Sequence, residues 1–567
     1  MLFKSDIQAL RKKWEKKASS LKKERQPREA KWKEIRDFFE PETARALDGP
    51  GNDVNDADES RINNSYPRLV AQRMSSGMQG GITNPATQWF NLISVDESIA
   101  EQSNVKNFVQ ETARRMASVL SKSNFYLVFI LKYLQSGLFG TSCSILVPDD
   151  EFTARMIFCD LGSFWIAVDN RGRVNVLLRR SEYSANQLVG EFGEESVKDD
   201  TDVQKALKDK SEKLFVVWNL VEPNDGSSPD IAKGRKFASY YWRDGSGDKM
   251  ALAIRSYGYN PIICPRWYLI SGAYGYGCGH IALNDNKSLQ AMEEDSLFGI
   301  AMEARPPSKA PTSMREEVIN AHPGGVTYYD EIDAGRGGSS FGKLFDYRFE
   351  IEQVESKIRQ TEGRIDKAFY TDLFAMILNL SMQPREMTAR QISELSQEKM
   401  SLLGPVLTRM NTDMLDPLID GLYAIMESKD QLPELPDVLK GKQLAAEYIS
   451  VLHTEQQSAM RLGGIIKLAD IIAMVLPAAP DAADKFDGDQ AIDEAGKALN
   501  VAANVVRSDS KVAERRAARA EAEQRNMQAM AQAELLRSAP KGVKDLSEAQ
   551  MAGGGSALDG LMGRGGR

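Results

Sequence analysis

Apolar residues recur at helical spacing toward both ends of this chain and at strand spacing between them, which predicts an α+β protein that is mainly α. Over residues 7–39 the apolar positions are Leu10, Trp14, Leu21, Trp32, Ile35 and Phe38, and Pro27 predicts a kink or a split. Residues 40–60 are polar and rich in Gly, Pro and Asp, hence a loop. Helical signals dominate 62–117, broken by a turn over 80–92 that delivers Trp89 and Phe90 to the interior, and an apolar helix follows at 126–139. Short β-rich runs then appear at 144–147, 155–158, 164–168, 174–178, 214–220, 237–242 and 250–255. Turns such as Asp169-Asn170-Arg171-Gly172 separate them at hairpin-like spacing, so the sheets are expected to be antiparallel.

The stretch 265–311, PRWYLISGAYGYGCGHIALNDNKSLQAMEEDSLFGIAMEARPPSKAP, organises the rest. A glycine-rich turn opens into a helical run that starts between Gly279 and Asn284 and stops near Arg305, because the residue before proline is pushed out of the α region. About twenty residues at 1.5 Å each give a rod of roughly 30 Å. Its apolar residues (Leu283, Leu289, Met292, Leu297, Ile300, Met302) form no single stripe, so the rod touches neighbours on several sides. Its charge is acidic: Glu293, Glu294, Asp295 and Glu303. Residues 306–347 are short on helix signal, with one strand expected at 326–329. A 3.6 period then returns at Ile351, Val354, Ile358, Ile365, Phe369, Leu373, Met376 and Leu380, so two long helices form a hairpin through a small β-containing excursion. After the break at 381–386, Thr388 to Gln391 offers a capping box for a third helix running to about Lys429 and bent at Gly404-Pro405 and Asp416-Pro417. The last third is helical in shorter pieces, and the chain beyond about Ser538 lacks the apolar content to fold.

With 567 residues, 42% of them hydrophobic, the chain can bury a large core. Four cysteines without CxxC spacing and three histidines predict neither a disulfide framework nor a zinc site, and fit a reducing interior. No apolar run is long enough to span a bilayer, and the N-terminus lacks the apolar core of a secretory signal. The net charge of −8 argues against a protein that grips nucleic acid by neutralising phosphates, but not against a surface that nucleic acid slides past. In the basic N-terminal helix, interspersed glutamates favour a solvated face over a contact with nucleic acid or an acidic partner.

Motifs for chemistry are weak. Residues 52–58 resemble the start of a calcium loop but lack its glycine and closing glutamate. Gly337 to Leu344 has P-loop spacing, yet Leu344 stands where the Mg²⁺-holding Ser or Thr belongs, and no helix signal follows. Gly272, Gly275, Gly277 and Gly279 lack GxGxxG order and read as tight backbone turning. His280, His322 and His453 have no partner motif. Nothing makes a positive case for an enzyme, and no cofactor or metal is expected.

Several segments together resemble the portal proteins of short-tailed bacteriophages, the head-to-tail connector family. They are Trp89-Phe90 after Pro85, the glycine-rich turn leading to Ala282-Leu283-Asn284-Asp285 and ending at Arg305-Pro306-Pro307, Met387-Thr388-Ala389-Arg390 with Leu403-Gly404-Pro405, Leu435-Pro436, Tyr448-Ile449-Ser450 before Gln456-Gln457, and the helix over 487–508. The likeness spans about residues 5 to 530; Cys278-Gly279 and Leu452-His453 depart from the family's usual residues.

The resemblance implies a ring of twelve copies at one capsid vertex, in the virion, assembled in the host cytoplasm. It implies N-terminal helices and an α+β wing over 1–265, a glycine-rich turn and first stem helix over 266–304, a clip over 305–349 and a second stem helix over 350–379. A tunnel loop at 380–387, a long kinked wing helix at 388–430, a helical crown at 431–510 and a C-terminal helix and tail at 511–567 complete it. The expected partners are double-stranded DNA passing without sequence specificity, a tail adaptor, the terminase large subunit, and the major capsid and internal core or scaffold proteins. Glu293, Glu294, Asp295, Glu303, Gln383 and Arg385 are then expected to line the channel, and Arg315, Glu316, Tyr328, Tyr329 and Arg336 to face the adaptor. For Arg385, a backbone contact with DNA and a surface pairing with Glu386 both remain open. Two other classes stand beside this one: a nucleotide-dependent motor working through Lys343, and a helical scaffold without a channel.

Overall fold

A computed structural model describes residues 4–49, 59–96, 102–226, 231, 234–246, 251–311, 325–329, 342–343, 350–374, 403–442, 444–449 and scattered positions between 468 and 530. The chain divides into two compact units, Met1–Met460 and Arg461–Arg567. In the second unit the described residues are mostly helical and exposed, Leu468, Ile471 and Met474 among them.

The first unit opens with α1 (Lys4–Phe39), 36 residues that run through Pro27 without the split the sequence suggested. Pro27 lies on the solvent side, where water can serve the carbonyl left without a partner. Nearby, Arg25 pins the helix by donating to the carbonyls of Leu161, Gly162 and Phe164 at 3.3, 3.1 and 2.6 Å. Then come α2 (Tyr66–Ile82), β1 (Phe90–Ser94), α3 (Ser103–Lys122) and α4 (Phe125–Phe139). Trp89 and Phe90 are buried, as the turn before them implied.

The strand-rich middle is antiparallel, as expected. β2 (Cys143–Asp149) pairs with β3 (Thr153–Cys159) and β9 (Ile262–Ile263). β4 (Phe164–Val168), β5 (Val174–Ser184), β6 (Leu214–Pro223), β7 (Phe237–Arg243) and β8 (Ala253–Tyr257) form a five-stranded sheet in that order. Between β5 and β6 the chain adds α5 (Ala185–Phe192), α6 (Glu194–Val197) and α7 (Thr201–Lys208), which the sequence reading did not resolve. Alternation along the strands puts Trp165, Trp218 and Tyr240 under α1 and Phe215, Val217 and Tyr241 under α5 to α7, so both faces are covered.

The hairpin expected after the glycine-rich turn begins with α8 (Cys278–Ala304), one residue earlier than the predicted range of starts. β10 (Ser308–Pro311) then pairs parallel with β11 (Val326–Tyr329), which lies at the expected strand, and antiparallel with β12 (Gly342–Lys343). Two residues of the P-loop-like stretch are therefore strand, and the rest lie outside the described residues, as do 52–58 and the capping box at 388–391.

The second long helix, expected over 350–379, ends early. α9 (Ile351–Ala368) stops where Tyr370 takes a left-handed φ of 57°, and 371–374 resume helical structure. The break lets Phe369 pack on Phe39, ring centroids 5.6 Å apart, and lets the Tyr370 hydroxyl hydrogen-bond that of Tyr268. Ile365, Phe369 and Leu373 still point inward, so the periodic residues are core while the helix axis is not continuous.

A helix over 403–410 enters α10 (Asp416–Ser428) through a π turn at Asn411–Leu415. The irregularity sits just before Pro417, where a bend was expected: the Asp416 amide reaches back five residues to the Asn411 carbonyl. Leu403, Leu407, Met410, Met414, Leu418 and Leu422 are buried as the pattern required. Finally β13 (Leu444–Tyr448) pairs antiparallel with β1, Tyr448 opposite Phe90, inside the stretch expected to be helical crown. Aromatic burial accounts for it: the Tyr448 ring stacks on Trp89 at 6.5 Å.

Candidate functional site

The hairpin of α8 and α9 is anchored at one end and free at the other. At the anchored end the glycine-rich turn presses on the C-terminal turn of α4. An added Cβ at Gly275 would lie 2.1 Å from the Gly140 carbonyl oxygen, one at Gly277 would lie 2.4 Å from that of Gly137, and one at Gly279 would lie 2.4 Å from that of Leu138. Two backbones therefore touch where side chains would hold them apart, which is what these glycines are for. The contact sets the amide end of α8 against the carbonyl end of α4, a favourable dipole arrangement.

His280 completes the turn. Its Nδ1 accepts the Gly277 N–H at 3.2 Å and its ring stacks on Tyr276 at 4.4 Å. Burial, then the charges of Arg28 and Lys31, push its pKa down to about 4, so it is neutral at pH 7.

About two to three turns further along, two buried amides clamp α8 to the end of α1 and the entry to α2. Gln290 Oε1 accepts the backbone N–H groups of Asn63 and Asn64, each at 2.7 Å, while Nε2 donates to the Asn64 carbonyl at 2.9 Å and to Asn286 Oδ1 at 2.8 Å. Asn286 Nδ2 donates to the Phe38 carbonyl at 2.6 Å. On α9, Asp366 accepts from the Tyr66 hydroxyl at 2.5 Å and from Thr371 Oγ1 at 2.8 Å. Ion pairs add to this: Arg364 to Asp285 at 3.4 Å, and Lys287 to Glu34 at 3.0 Å. Burial, with Asp366 and Glu293 nearby, raises the pKa of Glu362.

The far half of α8 is different. Leu297, Phe298 and Ile300 are 59%, 48% and 42% exposed, and Glu294, Asp295 and Glu303 are exposed too. Glu293 is half-buried and acts on Glu362 of α9. Consecutive helical residues step about 100°, so Glu293, Glu294 and Asp295 fan around the rod, whereas Asp295 and Glu303 fall within about 80° of each other and share a side. Of the other residues singled out, Gln383, Arg385, Arg315, Glu316 and Arg336 lie outside the described residues. Tyr328 and Tyr329 stand on β11.

Much of the basic face of α1 is engaged within the chain. Lys13 pairs with Asp225 at 2.7 Å, Lys17 with Glu222, and Lys33 with Asp48 at 3.1 Å; Lys22 sits 3.7 Å over the Trp218 ring. Lys13, Lys17 and Lys22 hold the helix against β6 of the five-stranded sheet and the loop after it, while Lys33 ties it to the turn at Arg45–Asp48. Among the described residues no helix is long and apolar enough to cross a membrane, and no group of three or more His, Cys, Asp or Glu could hold a metal ion.

Sequence reasoning missed Asn286, Gln290 and Asp366. They sit among apolar positions as ordinary helical polar residues, and their partners at the end of α1 (Phe38), just before α2 (Asn63 and Asn64) and at its first residue (Tyr66) are more than two hundred residues away in the chain.

Comparison with known proteins gives the same direction as the hairpin. The chain is 33% identical over 544 residues to the portal protein of Salmonella phage epsilon15, covering 94% of this chain and 95% of that one. It is 30% identical over 514 residues to the probable portal protein of Bordetella phage BPP-1, covering 90% and 91%. A solved virion of a native gene transfer agent particle aligns over 75% of this chain and 86% of its own at 13% identity, with a TM-score of 0.32 that supports no structural inference. The sequence model of the bacteriophage head to tail connecting proteins matches residues 11–506. This chain therefore belongs to the bacteriophage head-to-tail connecting family of portal proteins.

Proposed function

We propose that copies of this chain close into a ring at one vertex of a phage capsid, with the α8–α9 hairpins side by side as the wall of a channel for double-stranded DNA. The carrying observation is the far half of α8, where large apolar side chains and carboxylates are exposed together on one rod. Leu297, Phe298 and Ile300 suit burial against a neighbouring hairpin, since an apolar surface of this kind marks an interaction site. Glu294, about 40° from Phe298 and about 60° from Leu297 around the helix, falls with the apolar pair, whereas Asp295 and Glu303 suit the lumen. Negative side chains there repel phosphates, so the genome passes without being held.

Glu293 contributes to this field from the α9 side. Gln383 and Arg385 stand at the constriction, where an arginine meets the DNA backbone without reading bases. Residues 305–349, with Arg315, Glu316, Tyr328, Tyr329 and Arg336, face a tail adaptor. The same ring docks the terminase large subunit and is set among capsid and core or scaffold proteins, with about twelve copies as the family implies. Negative-stain images of the purified full chain test the reading. A ring with a central hole supports it; elongated or small particles at assembly concentration would count against it.

A further inference from the structure

The three cysteines Cys143, Cys159 and Cys264, scattered in sequence, meet in one buried cluster. Cys143 and Cys159 are directly opposite on β2 and β3, and both are at most 1% exposed. At 2% exposure Cys264 is buried beside them, and the Cys159 thiol donates weakly to the Ile157 carbonyl at 3.9 Å. Directly opposed residues of an antiparallel pair hold their Cα atoms about 4.5–5.5 Å apart, within the span a disulfide bridges. Beside them lies Lys132, wholly buried, its Nζ donating to Ser144 Oγ at 2.9 Å and to the Ile263 carbonyl at 2.8 Å. No carboxylate pairs with it among the described residues.

We infer that Cys143 and Cys159 are an oxidisable dithiol, which a hydroperoxide converts to an intrachain disulfide with Lys132 moving the protons. Its neighbour Cys143, and then the charges of Arg179 and Lys132, lower the pKa of the Cys159 thiol, while burial raises that of Cys143, so Cys159 supplies the thiolate. Burial brings the Lys132 ammonium down to about 8, near enough to neutrality to give and take a proton. The Cys159 sulfur attacks one peroxide oxygen: an S–O bond forms, the O–O bond breaks, and the departing hydroxide takes a proton from Lys132 to become water. The Cys143 sulfur then attacks the sulfenic sulfur; the S–S bond forms, the S–O bond breaks, and the thiol proton leaves with the hydroxide through the Lys132 amine as a second water. Two thiols are oxidised and one hydroperoxide is reduced. β3 is an edge strand of its sheet, so opening one hairpin admits so small an oxidant.

The test is hydrogen peroxide on the purified full chain, followed by alkylation after denaturation and non-reducing peptide mapping. Alkylatable thiols are expected to fall from the four of the sequence to two, with a Cys143–Cys159 linked peptide and a higher melting temperature. Cys159→Ser should abolish the link, Cys264→Ser should leave it, and Lys132→Met should slow its formation several-fold. Four alkylatable thiols after oxidation, sulfinic acids without a link, or a bond that uses Cys264 in the native chain would each overturn the inference. Mapping of the unsubstituted chain decides the matter even if a variant fails to fold.

Discussion

The side-chain oxygen of Gln290 lies 2.7 Å from the backbone nitrogen of Asn63, and the same oxygen serves Asn64 at the same distance. One glutamine thus satisfies two amides at the entry to α2 and ties that entry to the long helix of the hairpin. Replacing it by leucine keeps the bulk and takes the partner from both amides at a partly buried seam. Gln290→Leu should cost about 2–4 kcal/mol, seen as a lower melting temperature of the isolated chain, whereas an unchanged melt would mean that water already serves these amides.

Gly277 is predicted to tolerate no side chain. A methyl group there would overlap the Gly137 carbonyl and the Gly140 amide, both backbone and unable to swing aside. Gly277→Ala should lose about 3 kcal/mol or fail to give soluble protein. Gly190→Ala is the control: nothing lies within 4 Å of its Cβ, so the helix α5 should gain up to about 1 kcal/mol. Similar melting curves for the two variants would contradict the backbone contact.

His280 makes stability depend on acid. Its folded pKa of about 4 lies below its ordinary value of 6.5, so between these values the unfolded chain binds the proton and the folded chain does not. The contribution is complete above pH 6.5 and is lost as pH falls toward 4. Melting temperatures of the native chain and of His280→Asn over pH 4 to 7 should converge at the acid end, the native chain losing more; parallel curves would show that this ring is not the titrating group.

Leu297 and Phe298 are exposed in the single chain, so changing them should cost the fold little and the assembly a great deal. Leu297→Lys with Phe298→Glu should give a folded chain by circular dichroism that no longer forms large particles by light scattering. Assembly at the native mass would remove these residues from the contact between copies.

Arg385→Ala is expected to leave rings intact and to change DNA retention or packaging in a particle assay. If neither changes, the channel role of Arg385 fails.

What could be seen in the sequence was whatever repeats or puts aromatics next to turns. The 3.6 period of Ile365, Phe369 and Leu373 and the turn that buries Trp89 and Phe90 both hold in the fold. Periodicity marks which side faces the core but not whether the axis continues, and so the break at Tyr370 was invisible: it depends on Tyr268, a hundred residues earlier. The pairing of β1 with β13 joins segments some 350 residues apart, and short strands carry no sign of so remote a partner. The acids of α8 were legible as charges but not as directions, because three in a row cannot face one way.

The most direct test is a density map of the assembled full-length protein at side-chain resolution. The account predicts a closed ring whose hole is walled by α8 and α9, with Asp295 and Glu303 turned to the axis and Leu297 and Phe298 buried against the next copy. A particle without a hole, or a ring in which the apolar pair faces the lumen and the carboxylates are buried between copies, would contradict it.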